Sequence, residues 1–317
     1  MFSSQFFTSI TFGIIALVIV GSSWTITGLV MGDAPKRGVG IPFLETLSSS
    51  VSLVGCIIAT TVLGGWGLHD CTPKVYFWTN AAYFFCGAAN FFNLLWMSKA
   101  MQTGPNGVVW SIIQSALVFP FMGGIIFFGV EATPMRIIGI ILLLLALVFF
   151  SMTKNNTSKG GQQWKLLAFA ALAICAVQQN VQTIPSYFES CRTVPSTVRT
   201  GACALGCLFA ALMCIFCTSK RDAYAAMVVQ FKRKALWYYV LAMQGFSLFF
   251  SFTLTYPGMD AMAKNGLGGM AFPMMVGSCI ASFTLASVLL LKEKIKPVQA
   301  IALLLCISGL VLICTKA

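Results

Sequence analysis

Charge is scarce in this chain. Asp, Glu, Lys and Arg together make up 9% of its 317 residues, where a soluble domain carries about a quarter. Acidic residues are the fewest, eight against twenty Lys and Arg, and there is a single histidine. A surface facing water on all sides cannot be built from this inventory. Catalysis inside a membrane needs a nucleophile with its base, a pair of aspartates or a metal set. His69 stands in a loop beside Asp70, and no His/Cys ligand cluster or paired-aspartate motif accompanies it. No catalytic residue, metal site or cofactor is therefore expected, and an intramembrane enzyme is the weaker alternative.

Apolar residues fill the space that charge leaves, at 58% of the chain with mean hydropathy +0.87. A bilayer core about 30 Å thick takes roughly 20 apolar residues per spanning helix. About ten such runs are predicted, near residues 9–31, 43–64, 75–98, 104–129, 134–152, 164–184, 197–218, 235–256, 266–291 and 298–315. The first run is preceded by no positive residue and exceeds the usual h-region, so it reads as a helix and not as a cleaved signal peptide. The net charge of +12 is read as a basic face beside anionic lipid, with the bilayer as partner and no nucleic acid. Six Lys and Arg fall on the side that holds both termini and fourteen on the other. The positive-inside rule then places both termini outside the cytoplasmic membrane. Most of the twelve cysteines lie within the apolar runs, where Cys acts as a small hydrophobe. Cys71 and Cys191, both in outside loops, are the pair placed for oxidation.

The chain reads as one design written twice. Residues 266–316 lie on residues 104–154 without a gap, at an offset of 162, with eight identities that include Gly104/Gly266, Gly107/Gly269 and Glu131/Glu293. Each copy is a long apolar helix, a tight turn holding a glutamate, and a second apolar helix. The polar connection after residue 152 divides the chain into a five-helix unit at 1–155, a loop at 156–163 and a second unit at 164–317. Five is odd, so the second unit enters the membrane inverted. The fold class is thus an all-α integral membrane protein of two inverted five-helix repeats, an architecture that places a substrate site near the midplane between the repeats.

Polar side chains are costly inside a bilayer and face a partner helix or a water-filled cavity. Helix one offers Trp24, and helix three offers Tyr83 and Asn90, two turns apart on one face. Helix four carries Asn106, Trp110 and Gln114 at spacing i, i+4, i+8. Helix six is the most polar, with Gln178, Gln179, Asn180 and Gln182, and helix eight adds Gln244 and Ser251. Carboxamides both donate and accept hydrogen bonds, and indoles join an apolar face to one donor, so the set suits an uncharged or zwitterionic solute. Glu45, at the start of helix two, and Asp260, past helix eight, read as solvated charges, and coupling to H+ or Na+ is left open. Gly104 and Gly107 in helix four, with Gly266 and Gly268 in helix nine, loosen corresponding helices of the two halves and are the candidate gating positions.

Two turns, Phe128-Gly129-Val130-Glu131-Ala132-Thr133-Pro134 and Leu291-Lys292-Glu293-Lys294-Ile295-Lys296-Pro297, each lead into a Leu/Ile-rich final helix. With the ten runs and the five-plus-five repeat, they resemble the ten-helix, EamA-like branch of the drug/metabolite transporter superfamily. The usual Gly-Glu pair is Val130-Glu131 and Lys292-Glu293 here. The resemblance implies a cavity lined by helices one to four and six to nine, with five and ten at the periphery. It also implies a secondary transporter working by alternating access on a small polar metabolite such as a sugar, an amino acid or a nucleoside. The small multidrug-resistance relatives carry a glutamate in their first helix, which this chain lacks. That argues against the alternative, an exporter of drugs or cationic metabolites. Monomer and homodimer stay equally open.

Overall fold

A computed structural model describes residues 8–68, 71–104, 106–152, 163–219, 222–289 and 297–314. His69, Asp70, Pro105, Lys220 and Arg221, the connection 153–162, the charged turn at 290–296 and the final Thr315-Lys316 lie outside the described residues.

Every regular element among the described residues is helical. In chain order they are α1 (Ile10–Asp33), α2 (Ile41–Val62), α3 (Pro73–Thr103), α4 (Asn106–Gln114), α5 (Val118–Phe128), α6 (Pro134–Ser151) and α7 (Gln163–Tyr187). There follow the short α8 (Glu189–Arg192), then α9 (Ser196–Ser219), α10 (Ala223–Phe231), α11 (Lys234–Phe250), α12 (Tyr256–Lys264), α13 (Ala271–Leu289) and α14 (Pro297–Cys314). Helix starts follow capping chemistry. The Ser9 hydroxyl accepts from the Phe12 amide at 3.1 Å, the Thr72 hydroxyl accepts from Val75 at 3.4 Å, and Pro73 opens α3 where a missing N–H costs nothing.

Among the described residues, six helical stretches are long and apolar enough to cross a membrane. Three shorter apolar helices, Pro134–Phe149, Gly268–Ser282 and Ala300–Cys314, accompany them.

Two of the predicted helices are interrupted, and proline explains both. A 3-10 turn, Ser115–Leu117, joins α4 to α5 just ahead of Pro120, which has no N–H to bond the preceding turn. A π turn, Ser251–Thr255, joins α11 to α12 just ahead of Pro257. The wider turn accommodates the proline ring, and Thr255 Oγ1 takes up the Phe250 carbonyl five residues back at 3.3 Å. The helix predicted to end near residue 256 thus runs on to Lys264, which puts Asp260 inside it. At the start of the predicted ninth helix, Gly266 is left-handed (φ 72) and a 3-10 turn, Gly268–Met270, precedes α13.

The strongest packing pairs are α3 with α7 and α9, α2 with α9, α1 with α13, and α6 with α14. Small residues let the backbones meet. A β-carbon at Gly87 of α3 would run into the Cys203 carbonyl of α9, and one at Gly206 of α9 into the Phe84 carbonyl of α3. Two buried apolar clusters flank the centre of the bundle. One gathers Met31, Leu44, Phe91, Met97, Ile113 and Leu236, the other Leu17, Tyr83, Phe121, Leu143, Tyr256 and Met275.

Candidate substrate cavity

Between those clusters lies a cavity of about 260 Å³. Its walls come from α1, α2, α3, α4, α7, α9, α11, the π turn, α12 and α13, whereas α6 and α14, paired with each other, contribute no lining residue among the described residues. Helical periodicity supplies the polar surface. On α2 the lining residues are Glu45, Ser48, Ser49 and Ser52, and on α7 they are Cys175, Gln178, Gln179 and Gln182. Both sets follow i, i+3, i+4, i+7, one stripe per helix.

The carboxamides are held by short hydrogen bonds between and along helices. Ser52 on α2 donates to Gln244 Oε1 on α11 at 2.8 Å, and Gln244 Nε2 donates to Ser48 Oγ. On α7, Gln178 Nε2 donates to Gln182 Oε1 at 3.0 Å and Gln179 Nε2 to the Cys175 sulfur at 3.2 Å. Such bonds fix the rotamers of the polar wall. Three lining side chains keep a buried oxygen with no hydrogen-bond partner: Glu45 Oε1, Asn93 Oδ1 and Gln179 Oε1.

Of the eleven residues expected from sequence to meet substrate, the structure brings nine to this cavity: Trp24, Asn90, Trp110, Gln114, Gln178, Gln179, Gln182, Gln244 and Ser251. Tyr83 and Asn180 stand elsewhere. Tyr83 is fully buried two turns before Asn90, edge-on to Tyr256 with centroids 4.9 Å apart, so Tyr256 and not Tyr83 meets the cavity. Asn180 leaves the α7 stripe, bonds its own helix at the Ala176 carbonyl (2.8 Å) and abuts Gly123 of α5.

Gly104, Gly266 and Gly268 are not among the residues that line the cavity. Gly104 ends α3 in an extended conformation against the Trp164 ring, and Gly107 sits in the first turn of α4. Gly266 closes α12 in the left-handed region. At Gly268 a β-carbon would come within 2.6 Å of the Tyr187 ring, which stacks on Phe128 at 3.9 Å.

Both acids read as solvated are instead enclosed. Glu45 is 4% exposed and accepts a weak bond from the Cys207 thiol at 3.5 Å. The signal was present in the polar stripe that continues from it through Ser48, Ser49 and Ser52. Asp260 binds Arg199, at 3.1 Å to Oδ1 and 2.8 Å to Oδ2. Arg199, a residue that sequence reasoning passed over, is 1% exposed. Its signal was an arginine within a predicted span, which demands a partner. The pair ties α9 to α12 behind Tyr256, whose ring lies 5.7 Å from the guanidinium. Cys71 and Cys191 are both free thiols.

No family model matches this chain, and no curated protein matches it. A solved structure described as "Crystal structure of protein" is similar to it, with a TM-score of 0.67, 16% identity and coverage of 96% of this chain and 95% of that chain. At so low an identity the likeness speaks to the fold alone: the chain shares its helical architecture, nearly end to end, with a protein of known structure.

Proposed function

We propose that this chain is a secondary transporter that carries a small polar solute, uncharged or zwitterionic, across the cytoplasmic membrane. The observation that carries the proposal is the central cavity of about 260 Å³, walled by helices of both halves with hydroxyl, carboxamide and indole groups. A cavity on the small side of the roughly 300–1,000 Å³ typical of drug-sized ligands favours a metabolite over a bulky drug.

Ten spans in two inverted repeats are the architecture we assign. Adding α3, which is long but more polar, to the six long and three shorter apolar helices gives ten. The packing supports the repeat. Exchange α1 with α7, α2 with α9, α3 with α11–α12, α4–α5 with α13, and α6 with α14. The α3–α9 contact then becomes α11–α2, α3–α7 becomes α12–α1, and α1–α13 becomes α7–α4, all of which occur, while α2–α9 and α6–α14 map onto themselves. In such folds one repeat rocks against the other about a midplane site, and a solute moves the equilibrium by its differential affinity for the two states. Asp260 with Arg199, and Tyr83 with Tyr256, are the contacts that rocking would open at one end of the cavity.

A thermal-shift screen of the purified protein tests the reading, because a ligand of the folded state raises its melting point by mass action. Neutral sugars, amino acids and nucleosides should include at least one stabiliser. A response confined to lipophilic cations would contradict the proposal. With both termini outside, a reporter fused to either end should be reached by an impermeant reagent on intact cells, and labelling only after lysis would reverse the orientation.

A further inference from the structure

Resting on the transporter reading, we infer that Glu45 is the anionic recognition point of the cavity and that the solute bears a protonated amine. Glu45 is the one aspartate or glutamate on the cavity wall, and no Lys, Arg or His lines it among the described residues. Its carboxyl is 4% exposed, Oε1 has no hydrogen-bond partner, and Oε2 has the Cys207 thiol at 3.5 Å. The dipole at the start of α2 acts over the first turn, residues 41–44, and Glu45 stands past it.

Asn93 Oδ1 and Gln179 Oε1 join Glu45 Oε1 as buried acceptors without a partner. An ammonium group offers three donors and no acceptor, which matches a set of vacant acceptors. Trp24, Trp110 and Phe272 line the same cavity, and aromatic rings attract a cation whereas they repel an anion. A buried carboxylate without a counter-charge is costly, and a cationic nitrogen compensates it while gaining a charge-assisted bond. A neutral polyol offers the carboxyl no such compensation. Within the uncharged or zwitterionic class proposed above, this selects the zwitterions, solutes that carry a protonated amine as an amino acid does, over an unmodified sugar.

Matched pairs that differ in one amine test this by equilibrium binding to the purified full-length protein: glucosamine against glucose, serinol against glycerol, serine against glycerate. The aminated member of at least one pair should bind about 10-fold tighter or more, the worth of one hydrogen bond to a charged group. Glu45→Gln should bring the two affinities within each pair together, removing the preference for the aminated member. Melting of the unliganded variant checks that it folds, and Glu45→Ala with the same pairs provides a second variant. If neither variant folds, the amine preference of the wild-type protein decides alone. Equal binding of aminated and amine-free members, or a preference that survives Glu45→Gln, would overturn the inference while leaving transport of polar solutes intact. Silence from every polar solute would instead remove the transporter reading, and this inference with it.

Discussion

Arg199 makes four hydrogen bonds, two to Asp260 and one each to the carbonyls of Val194 and Arg192. Its side chain and that of Asp260 are 1% and 15% exposed. Removing one member of a buried ion pair strands the other, at a cost of about 3–5 kcal/mol. Arg199→Met and Asp260→Asn should each lower the melting temperature strongly. The double variant should recover about 2 kcal/mol relative to the sum of the single losses. Strict additivity would mean that the two groups do not act as a pair. Neither partner was legible as a pair in sequence, because 61 positions separate them and the contact exists only once α9 and α12 are packed. What the residue scale did offer was periodicity. Gln178, Gln179 and Gln182, or Trp110 and Gln114, announce a common face through spacing alone. Asn180, in the same polar run, falls off the stripe by its helical phase.

At the scale of elements, the bundle depends on close backbone crossings that only glycine permits. Gly87 and Gly206 face the carbonyls of Cys203 and Phe84 across the α3–α9 contact, and the helices must separate to admit a methyl group. Gly87→Ala should therefore destabilise by about 1–3 kcal/mol, the usual cost of overpacking. Gly245 on α11 is the matched control, since a β-carbon there meets nothing within 4 Å. Gly245→Ala should be neutral or stabilising by up to about 1 kcal/mol through helix propensity. Melting curves of the two variants in one detergent check the contrast, and equal melting would refute the account of the crossing. Helix positions were readable from apolar run length, as for α1, α2 and α9. The π turn before Pro257 and the 3-10 turn before Pro120 were not placed from sequence. A proline in an apolar run tells that the helix must yield, not how neighbouring helices let it yield.

For the whole molecule, the proposed carrier rests on the duplicated pattern in residues 104–154 and 266–316 and on the exchangeable packing pairs, which suit two halves rocking about the cavity. The charged turn on which half of the sequence resemblance rests lies outside the described residues, so the weight of the fold falls on helix packing and on the likeness at TM-score 0.67. Glu45, read from sequence as solvated, shows why a site is harder to see than a fold. A carboxylate near a helix start looks interfacial until the opposing helices α9 and α11 are in place around it. Counterflow in liposomes containing the purified protein tests the central claim most directly, with a solute that raises the melting temperature supplied unlabelled inside and as radioactive tracer outside. Alternating access predicts transient accumulation of tracer above its outside concentration, abolished when the inside is left empty. Tracer that merely equilibrates, at the same rate with and without internal solute, would contradict a carrier.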